Sequence, residues 1–338
     1  MALNPIKTGV LAYGMSGKVF HAPFLHTNDQ FQFSAVTERT KKAAHERYPD
    51  VKSYDSVDAL IADESLELII INTPNFTHYE YAEKALKAGK HVLIEKPVAV
   101  TANEAKQLFS LAKSVDRQLL VYQNRRYNSD FLSVKKVLEE GRLGKLIDVY
   151  FRYDRYRLGI GAKYFKEEPY PGSGLAYDLG PHLLDQALSL FGRPEKYTKT
   201  LGKNRPGTQT DDYFFIHLEY ATGLQVYLSA SLLVAKALPA YVVNGVNGTF
   251  IKQRTDTQED QLLAGMMPGE AGFGIEKPGS EGELTVVDAD GKAHTEHVPS
   301  LSADYTNLFN DVYATLREGK TYPVKEEDVV WQLEILES

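Results

Sequence analysis

The first third of the chain alternates short, wholly apolar runs with stretches whose apolar positions recur in steps of three and four. Runs without polar alternation are typical of strands buried on both faces of a parallel sheet. The apolar runs read TGVLAY, FQFSAVT, LELIIINT, KHVLIE and QLLVYQ. The stretches between them predict helices at 17–27, 39–48, 55–63, 76–88 and 102–115. Strands that alternate with helices predict a doubly wound α/β domain over residues 1–122.

The pattern changes after residue 123. In KLIDVYFRYDRYR, apolar and polar residues alternate, as they do in a strand with one buried and one wet face. DDYFFIHLEY and LQVYLSAS, joined by ATG, predict a hairpin, and YVVNG and NGTFIKQ predict two more strands. Helices are expected at 129–140, 178–191, 302–318 and 325–337, and a loop at 265–282. Residues 123–338 therefore predict an α+β domain with an open, mostly antiparallel sheet.

Composition narrows the class of protein. A chain of 338 residues is long enough for two domains with cores of their own. The net charge is −7 and no basic stripe stands out, so neither nucleic acid nor a membrane surface is an expected partner. The absence of cysteine excludes disulfides and thiolate chemistry. With no export leader or spanning run in sight, the expected compartment is the cytoplasm. The last helix has no capping glycine before Ser338, which is compatible with a truncated end.

The turn after the first apolar run carries two of the three glycines of a dinucleotide-binding fingerprint. The motif G-x-G-x-x-G is matched by Ala12, Gly14 and Gly17. Gly14 is the glycine that lets the pyrophosphate approach, and Gly17 the one that packs helix on strand. Alanine is tolerable at residue 12 if its φ stays negative. An ordinary strand–turn–helix with incidental glycines is the alternative, but the position between a strand and a helix favours a Rossmann cofactor site.

The end of the second strand indicates which cofactor binds, and its two signals differ. Glu38 stands where an acidic residue would accept a ribose 2′-hydroxyl, which favours NAD. Arg39 stands where a guanidinium would bind a 2′-phosphate, which favours NADP. The corner formed with Thr37, Thr40, Lys41 and Lys42 is cationic, so NADP is the preferred prediction, although a solvated helix start would also explain the lysines.

Two further segments carry groups suited to proton transfer. Lys96 follows the fifth strand, at the sheet edge where ligands bind, and could polarise a substrate hydroxyl; a solvent-exposed lysine is the alternative. In YDLGPHLLDQALSLF, Pro181 predicts a helix that begins near Asp178. Asp178, His182 and Asp185 then share one face, so that a histidine base has a carboxylate beside it. A capping or core histidine and a His/Asp metal site are alternatives, but no metal is predicted because the other histidines are scattered.

Several of these segments, taken together, resemble the glucose-fructose oxidoreductase and inositol dehydrogenase (Gfo/Idh/MocA) family, and within it a bacterial scyllo-inositol dehydrogenase branch. The segments are FHAPF, TPNFTH, EKP, QNRRYNSDF and YDLGPHLLDQAL. The resemblance implies a Rossmann domain, a second α+β domain whose sheet makes a homodimer or homotetramer, and NAD(P)-dependent oxidation of a ring hydroxyl of a sugar or polyol. It implies a catalytic trio of Lys96, Asp178 and His182. The positions that match its cofactor-lining segments are Gly14, Gly17, Thr73, Pro74, Asn75, His78, Glu95, Lys96 and Asn124, with Ala12, Glu38 and Arg39 as departures from the commonest pattern.

The mechanism expected from these residues is a hydride transfer to the nicotinamide. His182 removes the hydroxyl proton, Asp178 stabilises the imidazolium and Lys96 polarises the oxygen, although the choice between His182 and Lys96 as the formal base stays open. Two alternatives are a dinucleotide-binding sensor or corepressor without turnover, and a sugar-modifying enzyme that works through a transient ketone. The substrate itself is unreadable, because loops at 157–174 and 265–282 would shape its pocket. Weaker substrate-facing candidates are Arg126, Arg155, Tyr156, Arg157, Tyr164 and Asp185.

Overall fold

The first part of the chain alternates strands and helices, as its apolar pattern predicts. The computed structural model describes residues 4–338, apart from the side chain of Tyr164. The strands are β1 (Ile6–Val10), β2 (Phe31–Thr37), β3 (Lys52–Tyr54), β4 (Leu68–Ile71), β5 (His91–Glu95) and β6 (Leu119–Tyr122). The helices are α1 (Ala22–Thr27), α2 (Ala44–Arg47), α3 (Val57–Ile61), α4 (His78–Lys87) and α5 (Ala102–Ser114), with a π-helical turn at Gly17–His21 and 3-10 turns at Asn75–Thr77 and Asn124–Tyr127.

These six strands form one parallel sheet in the order β3-β2-β1-β4-β5-β6. All four residues of β4 have no exposed surface, as expected of a strand covered on both faces. The strand order reverses between β1 and β4, and ligands of doubly wound folds bind at such a switch point. The predicted α/β fold of this part is confirmed. The strand β3 escaped prediction because its three residues, KSY, form no apolar run.

The second part of the chain builds a larger sheet of eight strands. Its order is β14-β13-β12-β11-β7-β10-β9-β8, and every neighbouring pair is antiparallel except β7 with β10. Among the described residues, no helix has the length and apolar character needed to cross a bilayer. The strands are β7 (Leu146–Asp154), β8 (Lys196–Gly202), β9 (Tyr213–Glu219), β10 (Gln225–Ser231), β11 (Tyr241–Gly245), β12 (Gly248–Lys252), β13 (Gly282–Val287) and β14 (Ala293–Val298). The helices are α6 (Ser129–Glu140), α7 (Tyr164–Glu167), α8 (Leu175–Phe191), α9 (Thr257–Leu263), α10 (Thr306–Glu318) and α11 (Glu326–Glu337).

The two faces of this sheet differ, as the alternating sequence predicts. Buried side chains of β7, β9 and β10 lie on the face that α8 covers. On the other face, the half-exposed ring of Tyr227 stacks on Tyr150 at 4.8 Å and on His217 at 4.7 Å between ring centroids. The predicted open, mostly antiparallel sheet is therefore confirmed, with an aromatic row on its uncovered face.

Two predicted helix starts need correction. Helix α8 begins at Leu175 and not near Asp178, so Pro181 lies inside it. The reason is a remote cap: a carboxylate oxygen of Asp211 accepts the Ala176 N–H at 2.6 Å. Helix α2 is limited to Ala44–Arg47, whereas the pattern predicts residues 39–48. Both helix starts are set by a carboxylate that accepts backbone N–H groups, Asp211 at α8 and Glu38 at α2. The periodicity of apolar residues does not reveal such a cap.

The chain folds into two compact units, and each unit is built from more than one stretch of the chain. The first unit contains the residues up to Asn124, 259–273 and 304–337, and the second contains 125–258 and 274–303. The predicted boundary after residue 122 lies two residues before the chain first passes from one unit to the other. The C-terminal helices α10 and α11 belong to the first unit. There α11 packs on α5. Three polar contacts join these helices: Lys106 with Glu334, Lys113 with Glu326, and the Ala102 N–H with Glu337.

Candidate active site

The turn after β1 is held by a side chain from the neighbouring strand. Asn72, which follows β4, accepts the Ala12 N–H at 2.9 Å and donates to the Ala12 carbonyl at 2.7 Å. Among the described non-glycine residues, Asp116 alone has a positive φ, so the φ of Ala12 is negative. Alanine therefore occupies this position without strain, as predicted, and Asn72 is a site residue that the prediction missed.

The two glycines of the turn have separate structural roles. A Cβ atom on Gly17 would lie 2.1 Å from the Ala12 carbonyl oxygen, closer than any real contact allows. A Cβ on Gly14 would meet no atom within 4 Å. Gly17 thus permits the close approach of helix and strand, while Gly14 leaves open space beside the turn. Open space at the glycine of closest phosphate approach fits a dinucleotide.

Glu95 ties the same turn to the end of β5. Its Oε1 accepts hydrogen bonds from the Ser16 hydroxyl and from Nε2 of the fully buried His21, each at 3.0 Å. Burial alone would raise the pKa of Glu95, but these donors and the charges of His21 and Lys96 hold it below its usual range. Glu95 therefore positions the turn, and the next residue, Lys96, stands at the carboxyl end of β5.

His78 joins two loops at this edge of the sheet. Its side chain is fully buried, with Nδ1 2.7 Å from the Pro97 carbonyl oxygen and Nε2 2.8 Å from that of Thr73. Burial lowers the pKa of His78, and the two carbonyl acceptors oppose that effect only in part. Both ring nitrogens contact the backbone, so His78 supports the loops and does not present a nitrogen to a ligand. The other predicted cofactor residues lie at the same edge: Thr73, Pro74 and Asn75 after β4, and Asn124 after β6.

The structure separates Glu38 from Arg39 at the end of β2. The Glu38 carboxylate is buried and turned towards α2, where it accepts the Ala43 N–H at 2.9 Å, the Ala44 N–H at 3.3 Å and the Ser53 hydroxyl at 3.0 Å. In this position the carboxylate caps that helix. Arg39 is exposed, and residues 4–338 contain no carboxylate within ion-pair distance of it.

The two lysines after β2, Lys41 and Lys42, differ in their contacts. Lys42 is paired with Asp55 at 2.6 Å and donates to the Glu38 carbonyl. Lys41 is exposed. Lys42 is exposed as well, so what sets it apart from Arg39 and Lys41 is its ion pair with Asp55.

In the second unit, α8 carries the predicted row of titratable groups. Asp178, His182 and Asp185 follow at spacings of four and three, which places them on one helix face despite the earlier helix start. His182 is 5% exposed and Asp185 is 1% exposed. Each acid has a cationic partner: Lys166 Nζ lies 2.5 Å from Asp178 Oδ1, and Arg126 binds both oxygens of Asp185 at 2.7 Å. Arg126, predicted to face substrate, is thus engaged with Asp185.

The loop that leads into α8 is anchored by a buried arginine. Arg205, 1% exposed at its side chain, binds Glu167 at 2.7 Å and Asp212 at 3.3 Å. Burial raises the pKa of both carboxyls, but hydrogen bonds from Arg205 and from nearby backbone N–H groups outweigh it and lower both values. Sequence reasoning missed Arg205 because nothing in its local pattern sets it apart from a surface arginine.

The other substrate-facing candidates lie in or next to this loop. Arg155 stacks over the ring of Tyr153, with its guanidinium carbon 5.1 Å from the ring centroid. Tyr156 and Arg157 are exposed. Tyr164 begins α7, and its side chain lies outside the described part of the structure.

A six-stranded parallel sheet with a glycine turn at its switch point is typical of the dinucleotide-binding folds. The chain matches the model of the Gfo/Idh/MocA oxidoreductase family, NAD-binding Rossmann fold, over residues 6–123, and the C-terminal alpha/beta domain of that family over residues 135–338. The protein belongs to this family, and the predicted resemblance is confirmed.

Two relatives of the chain are named as dehydrogenases. The scyllo-inositol 2-dehydrogenase (NADP(+)) IolW of Bacillus subtilis is 36% identical over 337 residues, 99% of this chain and 93% of that protein. The D-glucoside 3-dehydrogenase of Escherichia coli is 27% identical over 198 residues, 57% of this chain and 56% of that protein. The solved structure of an oxidoreductase from Bacillus cereus aligns with a TM-score of 0.90 at 34% identity, covering 98% of this chain and 95% of that one. The chain is thus an enzyme of the dehydrogenase type, as predicted.

Proposed function

We propose that the protein is an NADP-dependent dehydrogenase that oxidises a ring hydroxyl of a cyclic polyol or sugar, with an inositol-like compound as the leading substrate class. The row of Asp178 and His182 on α8 carries this proposal, because it supplies a base and its carboxylate in a chain that also has a dinucleotide turn. The names of the relatives support the same substrate class, since one acts on an inositol and another on a glucoside.

The preference for NADP rests on the end of β2. The Glu38 carboxylate caps α2, so it does not offer an acceptor to a ribose 2′-hydroxyl. The exposed Arg39 and Lys41 would hold a 2′-phosphate, and Gly14 and Gly17 would hold the pyrophosphate. When bound there, the cofactor would supply the acceptor for the hydride that leaves the substrate carbon.

The chain's own residues handle the proton. His182 takes the hydroxyl proton, and ionised Asp178 stabilises the imidazolium that results. Lys96 donates to the substrate oxygen and favours the developing alkoxide. The formal base can be identified from the pH–rate profiles of His182→Asn and Lys96→Met. The variant that lacks the base should lose the acidic limb of the profile, which reports the protonation of that base.

The cofactor is tested by titrating the protein with NADPH and NADH and following cofactor fluorescence. We expect tighter binding of NADPH, and Arg39→Ala should weaken NADPH while leaving NADH unchanged. NADH serves as the control within the same variant, because it lacks the 2′-phosphate. Equal affinities for the two cofactors in the wild type would contradict the assignment of Arg39.

The reaction is tested by screening inositols and aldoses for the absorbance of reduced cofactor. Turnover that falls sharply in Lys96→Ala and His182→Ala is the expected result. Tight cofactor binding without turnover of any polyol would favour the alternative of a dinucleotide sensor. Label exchange or product formation without net reduced cofactor would favour an enzyme that works through a transient ketone.

We further propose that two copies associate through the open face of the eight-stranded sheet. The row formed by Tyr150, Tyr227 and His217 is half exposed, and stacked aromatics of this kind are enriched at interfaces. Light scattering should give at least a dimer, and Tyr227→Asp should lower the mass without changing NADPH affinity. A wild-type monomer would contradict this proposal.

A further inference from the structure

The carboxylate of Asp178 forms an ion pair with a lysine that lies outside its own helix. Lys166 on α7 places Nζ 2.5 Å from Asp178 Oδ1, and the Asp178 side chain is 24% exposed. The two residues are twelve positions apart in the chain and no motif links them. We infer that Lys166 is a positioning residue for Asp178, holding that carboxylate ionised and oriented; the inference rests on the proposed role of Asp178.

The backbone that carries Lys166 is fixed in place, unlike that of an ordinary surface lysine. The Lys166 carbonyl oxygen accepts the Gly174 N–H and the Thr210 hydroxyl, each at 3.2 Å. The next residue, Glu167, binds the buried Arg205. Exposed ion pairs contribute little to stability because their attraction in water is weak, salt screens it and two long side chains must be ordered. Here the backbone is already ordered by contacts that do not involve the Lys166 side chain, so only that side chain, which is 40% exposed, has to be ordered for the ion pair.

The other charged groups around α8 are engaged in pairs of their own. On α8 itself, Asp185 binds Arg126 and His182 lies one turn beyond Asp178. The buried faces of β9 and β10 that underlie α8 carry apolar side chains only. On β7 and just after it, the groups on this face are Tyr153 and Arg155, which stack on each other. Around the start of α8, Asp211 accepts the Ala176 N–H, and Glu167 and Asp212 bind Arg205. Removing the Lys166 charge therefore alters the field at Asp178 and leaves these pairs intact.

The consequence concerns the protonation of Asp178. A neighbouring cation favours the ionised carboxylate, and only that form can stabilise an imidazolium on His182. Without the cation, Asp178 would hold its proton to higher pH, and the row on α8 would lose its function at the acidic end of the range. Lys166→Met removes the charge and keeps an apolar stem, while Lys166→Arg keeps the charge.

The first test needs no turnover. Carboxyl 13C NMR, with the Asp178 signal assigned through Asp178→Asn, follows the titration of this group in each variant. We expect the Asp178 midpoint to rise by about one pH unit in Lys166→Met and to stay near the wild-type value in Lys166→Arg. Lys236→Met, at an exposed lysine of the same unit, should leave it unchanged. An identical midpoint in the wild type and Lys166→Met would overturn the inference.

The second test uses the reaction. The acidic limb of kcat/KM, which reports the protonation of the base, should move to higher pH in Lys166→Met because a cation near the imidazolium is removed, and Lys166→Arg should restore it. NADPH affinity should not change, because Lys166 is not among the residues proposed to hold the cofactor. Activity loss at every pH with no displaced limb would overturn the positioning role. If the wild type oxidises no polyol, the proposed function fails, while the NMR midpoint still decides the inference.

Discussion

The turn after β1 and the loop before α8 both support predicted site residues, but they are held in different ways. The turn is fixed by backbone contacts: Asn72 binds both peptide groups of Ala12, and Gly17 allows the helix to approach the strand. The loop is fixed by ion pairs that join the buried Arg205 to Glu167 and to Asp212. The glycine leaves a mark in the local sequence, whereas the Asn72 contact and the ion pairs join distant residues and leave none. Substitutions in the two regions should therefore differ in cost and in pH dependence.

The largest effect is expected from the loop. Arg205→Met leaves Glu167 and Asp212 with no cation between them, and removing one partner of a buried ion pair costs about 3–5 kcal/mol. Urea unfolding measures the loss in the free energy of unfolding. Lys236→Met is the matched control, because this lysine is exposed. Equal stability of the two variants would mean that the ion pairs do not hold the loop.

The glycine turn gives the next effect and separates packing from cofactor binding. Gly17→Ala forces a Cβ against the Ala12 carbonyl, and overpacking of this kind costs about 1–3 kcal/mol. Gly14→Ala meets no neighbour, so its stability should stay within about 0.5 kcal/mol of the wild type while NADPH affinity falls. Thermal unfolding and cofactor titration of both variants make the comparison. Equal destabilisation by the two alanines would contradict the separation.

A smaller effect is expected at the cap of α2. Glu38→Ala removes the acceptor of the Ala43 and Ala44 N–H groups, and loss of a helix cap costs about 1 kcal/mol. The ratio of NADPH to NADH affinity should stay the same, because the carboxylate faces the helix. A changed ratio in fluorescence titrations would show that Glu38 contacts the cofactor.

The pH dependence of Arg205→Met is the finest test of the comparison. Glu167 and Asp212 have depressed pKa values, so their contribution is present above the usual values of 4.5 and 3.8 and is lost as the pH falls through the lower folded-state values. The stability difference between the wild type and Arg205→Met should therefore shrink as the pH is lowered from 7 to about 3. The penalty of Gly17→Ala is steric and should stay constant over the same range. A constant Arg205→Met penalty would rule out its ionic origin.

What the sequence could and could not predict follows the same division. Apolar runs identified β1, β2, β4, β5 and β6 because burial on both faces leaves no polar position. The alternation in KLIDVYFRYDRYR identified β7 for the opposite reason. The start of α8 was misplaced because its cap, Asp211, lies far along the chain. Within the site, Gly14 and Gly17 were readable, while Lys166 and Arg205 were not, because a charged residue looks the same in a sequence whether or not the fold supplies its partner.

The orientation of Glu38 sets the route for redesigning cofactor preference. Given the NADP preference proposed above, conversion to NADH would ordinarily use the acidic residue at the end of β2, but here that carboxylate caps the start of α2. Removing the basic corner would leave the ribose without a dedicated acceptor. A second acidic group would have to be introduced at Arg39 or Thr40, in the exposed segment where a new side chain displaces no packed neighbour.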